Sequence, residues 1–219
     1  MTTKIPLFPL GLVLLPNMSL PLHIFEERYK LMISKCLSDD IAFGIIWFEG
    51  QSMHSAGCTA RIIKVLKQYN DGRLDILTRG EKRFLVKELI EEKAYMEARV
   101  VFFDDTDEAR SEDLTETLKT AHRLIKQLID ANYLSESLDQ FDLSDPKDLS
   151  FAIAAIDGFN HAERQQFLEN TSSVDRLQKC VAALSRIMER FKINQELKRI
   201  IGGNGQSPKN LIKKLKTFQ

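Results

Sequence analysis

Two short motifs contain residue types that could carry catalysis or phosphate binding. Ser144-Asp-Pro-Lys147 has the S-x-x-K spacing in which a lysine activates a serine nucleophile. Its serine precedes an Asp-Pro pair that favours a helix start, and the companion motifs of that nucleophile class are absent from the sequence. Gly202-Gly-Asn-Gly-Gln-Ser-Pro-Lys209 is glycine-rich but lacks the Gly-Lys-Ser/Thr of a P-loop and follows a predicted helix. We therefore interpret the first motif as a helix cap and the second as a helix stop.

The residues that most often bind metals are not clustered. The histidines lie in four different predicted elements and show no H-x-x-x-H spacing: His23, His54, His122 and His161. The cysteines are widely spaced and form no C-x-x-C pair: Cys36, Cys58 and Cys180. This pattern is typical of a reducing cytoplasm and argues against a disulfide framework or a zinc site. The sequence predicts no metal, no cofactor and no enzyme activity.

The overall composition points to no particular class of partner. Lys+Arg and Asp+Glu both total 31, with 43% hydrophobic and 28% charged residues. This balance is that of an ordinary globular protein, and it favours neither nucleic acid nor a membrane surface. A binding role must then depend on local surface chemistry. Trp47-Phe48 ends a predicted strand beside a loop, where one ring faces the core and the other can present an apolar surface.

The first half of the chain predicts a rolled antiparallel sheet with one helix. Four of the six prolines lie within the first 21 residues, which excludes a continuous helix there and favours short buried strands. Apolar residues at helical spacing, Phe25 among them, predict a helix over His23–Ser38. Asn70-Asp-Gly72 predicts a hairpin turn. The predicted strands are Ile41–Phe48, Thr59–Tyr69, Leu74–Thr78, Arg83–Glu91 and Met96–Phe103. Imperfect alternation in the second of them suggests that both of its faces are partly covered.

The second half predicts a helical bundle. The stretch Asp104–Glu108 is too charged for a core, and we place a sub-domain boundary there. The predicted helix starts are Ser111, Ser144-Asp-Pro146, a capping box at Asn160-x-x-Glu163, and Ser173, whose long helix ends at Ile201. The predicted units are residues 1–105, 106–201 and a basic tail, 202–219. The tail could be a frayed terminus, a helix docked on the body or a partner, or a contact for nucleic acid or anionic lipid.

The opening segment PLFPLGLVLLPNMSLPLHIFEERY, from Pro6 to Tyr29, resembles the start of the Lon amino-terminal domain, the substrate-recognition part of the ATP-dependent Lon protease. Later residues extend the resemblance over about residues 4–201. They are Ala42-Phe43-Gly44, Gly57-Cys-Thr-Ala-Arg61-Ile62, Asp71-Gly72-Arg73-Leu74, Gly80 and Arg83-Phe84. The resemblance implies an α+β fold: a PUA-like antiparallel β pseudo-barrel with one helix, then an α-helical bundle with a long C-terminal helix. Within it, Gly80 predicts a turn and Phe84 a core residue.

The resemblance also implies a function. It suggests a stand-alone, non-enzymatic Lon-type domain that binds unfolded or degron-bearing polypeptide, with a protease or chaperone as a further partner. The candidate binding residues are Trp47, Phe48, Arg28, Arg61 and Arg83. The alternative is an RNA-binding protein, because PUA-like barrels elsewhere bind RNA and the tail is basic. A third alternative is an enzyme acting on a small metabolite, for which the sequence nominates no residues.

Overall fold

A computed structural model describes residues 1–106, 112–130 and 138–202. Over these residues the chain forms six strands followed by helices, with one helix inside the strand region, so the predicted α+β class is confirmed. The strands are β1 (Thr3–Leu10), β2 (Ser19–Ile24), β3 (Phe43–Glu49), β4 (Ser52–Gln68), β5 (Leu74–Ile90) and β6 (Glu97–Phe103). The helices are α1 (Glu27–Ser38), α2 (Glu112–Asp130), α3 (Pro146–Ala155), α4 (His161–Glu169) and α5 (Ser173–Gly202).

The strands form one mixed sheet in the order β2-β5-β4-β3-β1-β6, and β5 also pairs with β6. Five strands therefore make an irregular ring of hydrogen-bonded neighbours, and β2 lies outside it. The predicted all-antiparallel pairing is wrong at one place, because β1 and β3 are parallel, with Leu7 opposite Gly44. The connection through β2 and α1 returns the chain to the same end of the sheet, and such a crossover can join parallel strands.

Strand β5 is one long element rather than the two predicted strands with a turn at Gly80. Its first half pairs with β2 and its second half with β6, so the two halves lie against different neighbours. Gly80 lies where the loop after β1 crosses the strand. Its N–H donates to Met18 O and its carbonyl accepts from Asn17 N–H, both at 2.9 Å. A Cβ at Gly80 would lie 2.1 Å from the carbonyl oxygen of Leu15, so close approach of two backbones, rather than a turn, explains this glycine.

The predicted hairpin between β4 and β5 is confirmed. Gly72 has a φ of +82°, a left-handed conformation that glycine adopts without steric cost. The turn is closed by hydrogen bonds from Tyr69 N–H to Arg73 O and from Gly72 N–H to Tyr69 O.

Helix starts follow local chemistry, with two corrections. The capping box of α4 is present, with Asn160 and Glu163 each accepting the other's backbone N–H. Helix α3 is capped by Asp145 rather than by Ser144, since the Asp145 carboxylate accepts from Asp148 N–H. Helix α1 begins at Glu27 rather than His23, because the preceding residues pair with β5 as strand β2. Phe25 is therefore exposed instead of lying on a helical stripe. The predicted start at Ser111 lies outside the described residues.

Side chains inside the ring form the core of the sheet. Phe84 is fully buried, as predicted, and packs in a cluster with Ile5, Leu7, Ile46, Ala98 and Val100. The described residues divide into two compact units, one from Met1 to Val181 and one that begins at Ala182. The predicted sub-domain boundary at residues 105 and 106 stays a prediction, and the basic tail lies outside the described residues. Within the described ranges, no helix is both long and apolar enough to cross a membrane.

Candidate functional site

The distal part of β4 has an unpaired edge, which we call the open edge, residues 62–68. Strand β3 pairs with β4 only as far as Ala60, whereas β5 pairs with β4 on the other side as far as Gln68. Over the described residues, no strand covers the second side of the open edge. At about 3.3 Å per residue the open edge is roughly 23 Å long. A strand edge of this kind presents backbone N–H and C=O groups that another extended chain can pair with.

Apolar side chains on the open edge are exposed to solvent. Ile63 is 47% and Leu66 51% exposed, and Val65 is also exposed. Ile63 and Leu66 are the extra residues at two register shifts in the pairing with β5, where β-bulges increase the local twist. Lys64 and Lys67, also exposed, alternate with them. The open edge therefore combines free backbone groups, apolar contacts and positive charge.

Helix α1 and two ion pairs hold the β4–β5 hairpin in place. At the turn, Lys30 Nζ donates to Asp71 O at 2.9 Å. At the base, Arg61 Nε donates to a Glu81 carboxylate oxygen at 2.6 Å, and Arg61 Nη1 donates to Asp40 Oδ1 at 3.2 Å. The Glu81 contact raises the pKa of the Arg61 guanidinium. The open edge is thus supported at both ends.

A cleft of about 330 Å³ lies between the sheet and the start of α3. Its lining residues are Pro16, Asn17, Glu81, Lys82, Arg83, Phe102, Phe103, Asp104, Lys147 and Asp148. Asn17 Nδ2 donates to both Asp148 carboxylate oxygens at 3.1 Å, and Lys147 Nζ donates to Asp104 Oδ1 at 2.6 Å. Burial raises the pKa of Asp148. Burial also opposes ionisation of Asp104, but hydrogen bonds from Lys147 and Asp105 N–H outweigh it and lower the pKa of Asp104.

Behind the cleft lies a buried ionic cluster of Arg83, Asp105 and Arg176. The Asp105 carboxylate accepts from Arg83, and also from Arg176 Nη1 at 2.9 Å and Arg176 Nη2 at 2.5 Å. Arg83 Nη1 donates to the carbonyls of Leu168 and Asn170 at the end of α4, at 3.1 and 2.7 Å. Arg83 and Arg176 are 2% and 0% exposed. The cluster therefore ties β5 to the connection between α4 and α5.

The two guanidiniums also contact aromatic rings. The Arg176 guanidinium lies 4.1 Å from the Phe151 ring centre, and the Arg83 guanidinium lies 4.7 Å from that of Phe103. Arg176 Nε donates to Ser150 Oγ at 2.7 Å. Burial lowers the pKa of Arg83, and Asp105 opposes this effect. The contacts made by this cluster serve the packing of the fold.

The five candidate binding residues contact different partners and are not assembled into one site. Trp47 is buried and stacks on His54, with ring centres 4.2 Å apart. Phe48 is exposed at the end of β3, opposite Met53. Their roles in binding stay predictions.

The three arginines differ in exposure. Arg28 is exposed and contacts Glu26 and the ring of Tyr29. Arg61 braces the base of the open edge, and Arg83 belongs to the buried ionic cluster. Only Arg61 is directly next to the open edge in sequence.

The sequence pattern did not identify Asp105 and Arg176 as members of a buried ionic cluster. Asp105 lies in the acidic stretch predicted to be too charged for a core, yet its side chain is only 10% exposed. That prediction is wrong at this residue because two arginines compensate its charge. One sequence signal could have indicated that Arg176 is buried. It is next to Leu177 and four residues before Cys180 on the same helix, and both of these residues are buried.

The exposure of side chains along the open edge differs from the prediction made for this strand. The prediction that both faces of this strand are partly covered holds near Thr59 but is wrong from Ile63 to Gln68, where the side chains are exposed. The two bulges break the alternation of side chains, so a strict two-residue period could not locate this surface.

Groups capable of metal or thiol chemistry are not assembled in the part of the chain that the structure describes. No three His, Cys, Asp or Glu side chains cluster there as metal ligands would. The three cysteines are all buried. Burial raises the pKa of Cys36 to about 11 and those of Cys58 and Cys180 to about 12, which keeps the thiols protonated near neutral pH.

A family model described as the ATP-dependent protease La (LON) substrate-binding domain matches residues 4–186. A Lon protease of Anaeromyxobacter dehalogenans is 26% identical over 216 residues, which cover 91% of this chain and 25% of that protein. A Lon protease of Chlamydia pneumoniae is 29% identical over 162 residues, covering 68% of this chain and 19% of that protein. The chain thus spans about a quarter or less of the length of these relatives.

Two solved structures share the fold. A Lon N-terminal domain protein from Xanthomonas campestris gives a TM-score of 0.66 at 24% identity, covering 82% of this chain and 98% of that one. The N-terminal domain of a Mycobacterium avium complex Lon protease gives a TM-score of 0.66 at 19% identity, covering 84% of this chain and 98% of that one.

Proposed function

Because the chain belongs to the family of the Lon protease substrate-binding domain, we propose that it binds unfolded or extended polypeptide without catalysing a reaction. The open edge of β4 is the proposed contact surface. The observation that carries this proposal is an unpaired strand edge with exposed Ile63, Val65 and Leu66. A cytoplasmic location stays a prediction that rests on the widely spaced cysteines.

Strand addition suits a ligand without fixed sequence. An extended chain placed beside the open edge can form main-chain hydrogen bonds, which do not depend on its side chains. Apolar side chains of that chain can then contact Ile63, Val65 and Leu66. A folded protein pairs most of its own backbone groups and buries most of its apolar side chains. It therefore has fewer backbone groups and fewer apolar side chains available to contact the open edge. The surface therefore favours unfolded over folded polypeptide.

The two lysines favour a ligand over a second copy of this chain. Pairing of two open edges would bring Lys64 and Lys67 of both copies close to one another, and like charges across neighbouring strands are destabilising. Lysines on edge strands limit self-association for this reason. An uncharged or acidic segment of another polypeptide meets no such repulsion.

A role as an adaptor or regulator of proteolysis, with a protease or chaperone as the second partner, is part of the proposal. Recognition of a degron-bearing polypeptide would supply such a partner with its substrate.

Replacing Leu66 by Asp should weaken binding of an unfolded polypeptide about tenfold. Burying the exposed part of a leucine is worth about 1–1.5 kcal/mol, and a factor of ten corresponds to about 1.4 kcal/mol. The ligand is a reduced and alkylated protein that cannot refold, and binding is followed by fluorescence anisotropy. The matched control is Leu31→Asp, because Leu31 is 58% exposed on α1. The control should change affinity less than twofold.

Equal losses in the two variants would contradict binding at the open edge. A parallel titration with single-stranded RNA at about 50 and about 200 mM salt tests the alternative function. The polypeptide proposal would be contradicted if the protein binds RNA with an affinity that falls steeply with salt and does not bind the unfolded polypeptide.

A further inference from the structure

We infer that the open edge of β4 selects amphipathic segments of an unfolded polypeptide, in which acidic residues alternate with apolar ones. This inference rests on the proposed binding of polypeptide at the open edge, and it adds the class of segment that is bound. The pairing of β4 with β5 defines the two faces of the open edge residue by residue.

A β-bulge places the two lysines of the open edge on the same face of the sheet. In a regular strand, residues three positions apart point to opposite faces. Leu66, however, is an extra residue between Lys64 and Lys67. Lys64 lies opposite Leu77, and Lys67 lies opposite Asp75, which is two positions away from Leu77 on β5. The Cα atoms of the two lysines are therefore roughly 7 Å apart, as for residues i and i+2 of a regular strand.

The other face of the open edge is apolar. Ile62 lies opposite Thr78, and Val65 lies opposite Ile76. Residues directly opposite each other share a face, and both of these β5 residues are fully buried. Val65 is on this same face but stays exposed, because no strand covers the second side of the open edge in the part of the chain that the structure describes. An apolar side chain of an added strand would cover it.

An added strand would present its own side chains to these two faces in turn. Successive side chains of an extended chain point to opposite sides of the sheet. Those on one side would contact Lys64 and Lys67, and those on the other side would contact Val65. Opposite charges on neighbouring strands are stabilising and like charges are destabilising. The matching segment therefore has carboxylates at alternate positions and apolar residues between them.

The charge along the open edge is positive. Residues 62–68 contain two lysines and no carboxylate. On the part of β5 that lies beside them, the charges of Arg79 and Asp75 cancel. Asp75 counts as ionised, because hydrogen bonds from His23 and Tyr69 lower its pKa. The two lysines thus leave a net charge of about +2 on this part of the sheet.

The charged groups at the two ends of the hairpin do not cancel this charge. They comprise three cations and four carboxylates, with a net charge of −1, and they are paired with one another: Arg61 with Glu81 and Asp40, Arg73 with Asp71, and Lys30 with Glu27. Among the described residues, neither Lys64 nor Lys67 forms an ion pair, and Lys67 Nζ lies 4.4 Å from the ring centre of Tyr69. Both lysines are therefore available to the carboxylates of a ligand.

The test compares eight-residue peptides that carry a fluorescent label and a neutral group at each end. The first alternates Val and Glu, the second alternates Val and Gln, and the third has the composition of the first with its residues arranged in pairs, Val-Val-Glu-Glu. Anisotropy titration at about 50 mM salt, where exposed charges are little screened, should show the first peptide binding about tenfold more tightly than the second. It should also bind at least threefold more tightly than the third, which has the same charge but places glutamates on both faces.

Reversing the charge of both lysines should reverse the preference. The double variant Lys64→Glu, Lys67→Glu should bind a peptide that alternates Val and Lys about tenfold more tightly than the Val-Glu peptide. A milder double variant, Lys64→Gln with Lys67→Gln, should bring the ratio between the Val-Glu and Val-Gln peptides close to one. The matched control is Lys119→Glu with Lys126→Glu, which changes the net charge equally on exposed residues of α2 and should keep the preference of the unmodified protein.

Equal affinity of the unmodified protein for the Val-Glu peptide and its paired isomer would overturn the inference, because net charge alone would then explain binding. A preference for glutamate that survives in the double variant Lys64→Glu, Lys67→Glu would overturn it as well. The proposed function is tested separately by the reduced and alkylated protein. If the unmodified protein binds that polypeptide but does not distinguish the peptides, the inference about amphipathic segments alone fails.

Discussion

Replacing Asp105 by Asn is expected to lower the free energy of unfolding by about 3–5 kcal/mol, since it leaves two buried guanidiniums without a counter-charge. Asp105 accepts hydrogen bonds from both Arg83 and Arg176, and both arginines are buried. Asn has nearly the same size as Asp, so the loss measures charge compensation rather than a cavity. Chemical denaturation followed by the fluorescence of the single tryptophan, Trp47, measures the change.

Glu88→Gln is the matched control for this effect. Glu88 also pairs with an arginine, at 3.0 Å from Arg99 Nε, but both side chains are exposed. Exposed pairs of this kind contribute about 0–1 kcal/mol, so the control should change stability little. A loss for Asp105→Asn no larger than that for Glu88→Gln would show that the buried ionic cluster does not hold β5 against the helices.

Replacing Gly80 by Ala is expected to cost roughly 3 kcal/mol. The added methyl would lie 2.1 Å from the carbonyl oxygen of Leu15 and 3.2 Å from Cys58 Sγ. The carbonyl belongs to backbone rather than to a flexible side chain, so the loop before β2 must move. That movement strains the two hydrogen bonds that Gly80 makes to Asn17 and Met18. Overpacking of this kind typically costs about 1–3 kcal/mol, and the backbone contact places this substitution at the upper end.

Gly11→Ala is the control for the change of residue type. A Cβ at Gly11 would meet no atom within 4 Å, and Gly11 does not have a positive φ. The free energy of unfolding of this variant should equal that of the unmodified protein or exceed it by up to about 1 kcal/mol, because alanine reduces the conformational freedom of the unfolded chain. Similar denaturation midpoints for Gly80→Ala and Gly11→Ala would contradict the steric account of β5.

Local features of the fold were predictable from the sequence. The capping box at Asn160 and the turn at Gly72 each depend on residues a few positions apart, and both are present. The parallel pairing of β1 with β3 depends instead on the path of more than thirty intervening residues. The continuity of β5 through Gly80 depends on a loop more than sixty residues away in sequence. Neither the parallel pairing of β1 with β3 nor the continuity of β5 can be predicted from a local sequence pattern.

The surfaces were less predictable than the fold. A family resemblance points to Arg83, but it does not reveal that this arginine is buried against Asp105 and Arg176. The open edge is invisible in the sequence because Ile63 and Leu66 look like core residues until the absence of a covering strand is known. Exposure of an apolar residue is decided by the arrangement of neighbouring strands, which are distant in sequence.

Hydrogen exchange of the β4 amides, measured by NMR with and without the permanently unfolded polypeptide, tests the central claim most directly. If a polypeptide adds a strand to the open edge, amides of Ile62–Gln68 that point away from β5 should exchange more slowly, at least tenfold, in the complex. Amides of the loop between β5 and β6 serve as the internal control and should be unchanged. Binding of the polypeptide with unchanged exchange along the open edge, or with protection confined to other parts of the protein, would contradict the account.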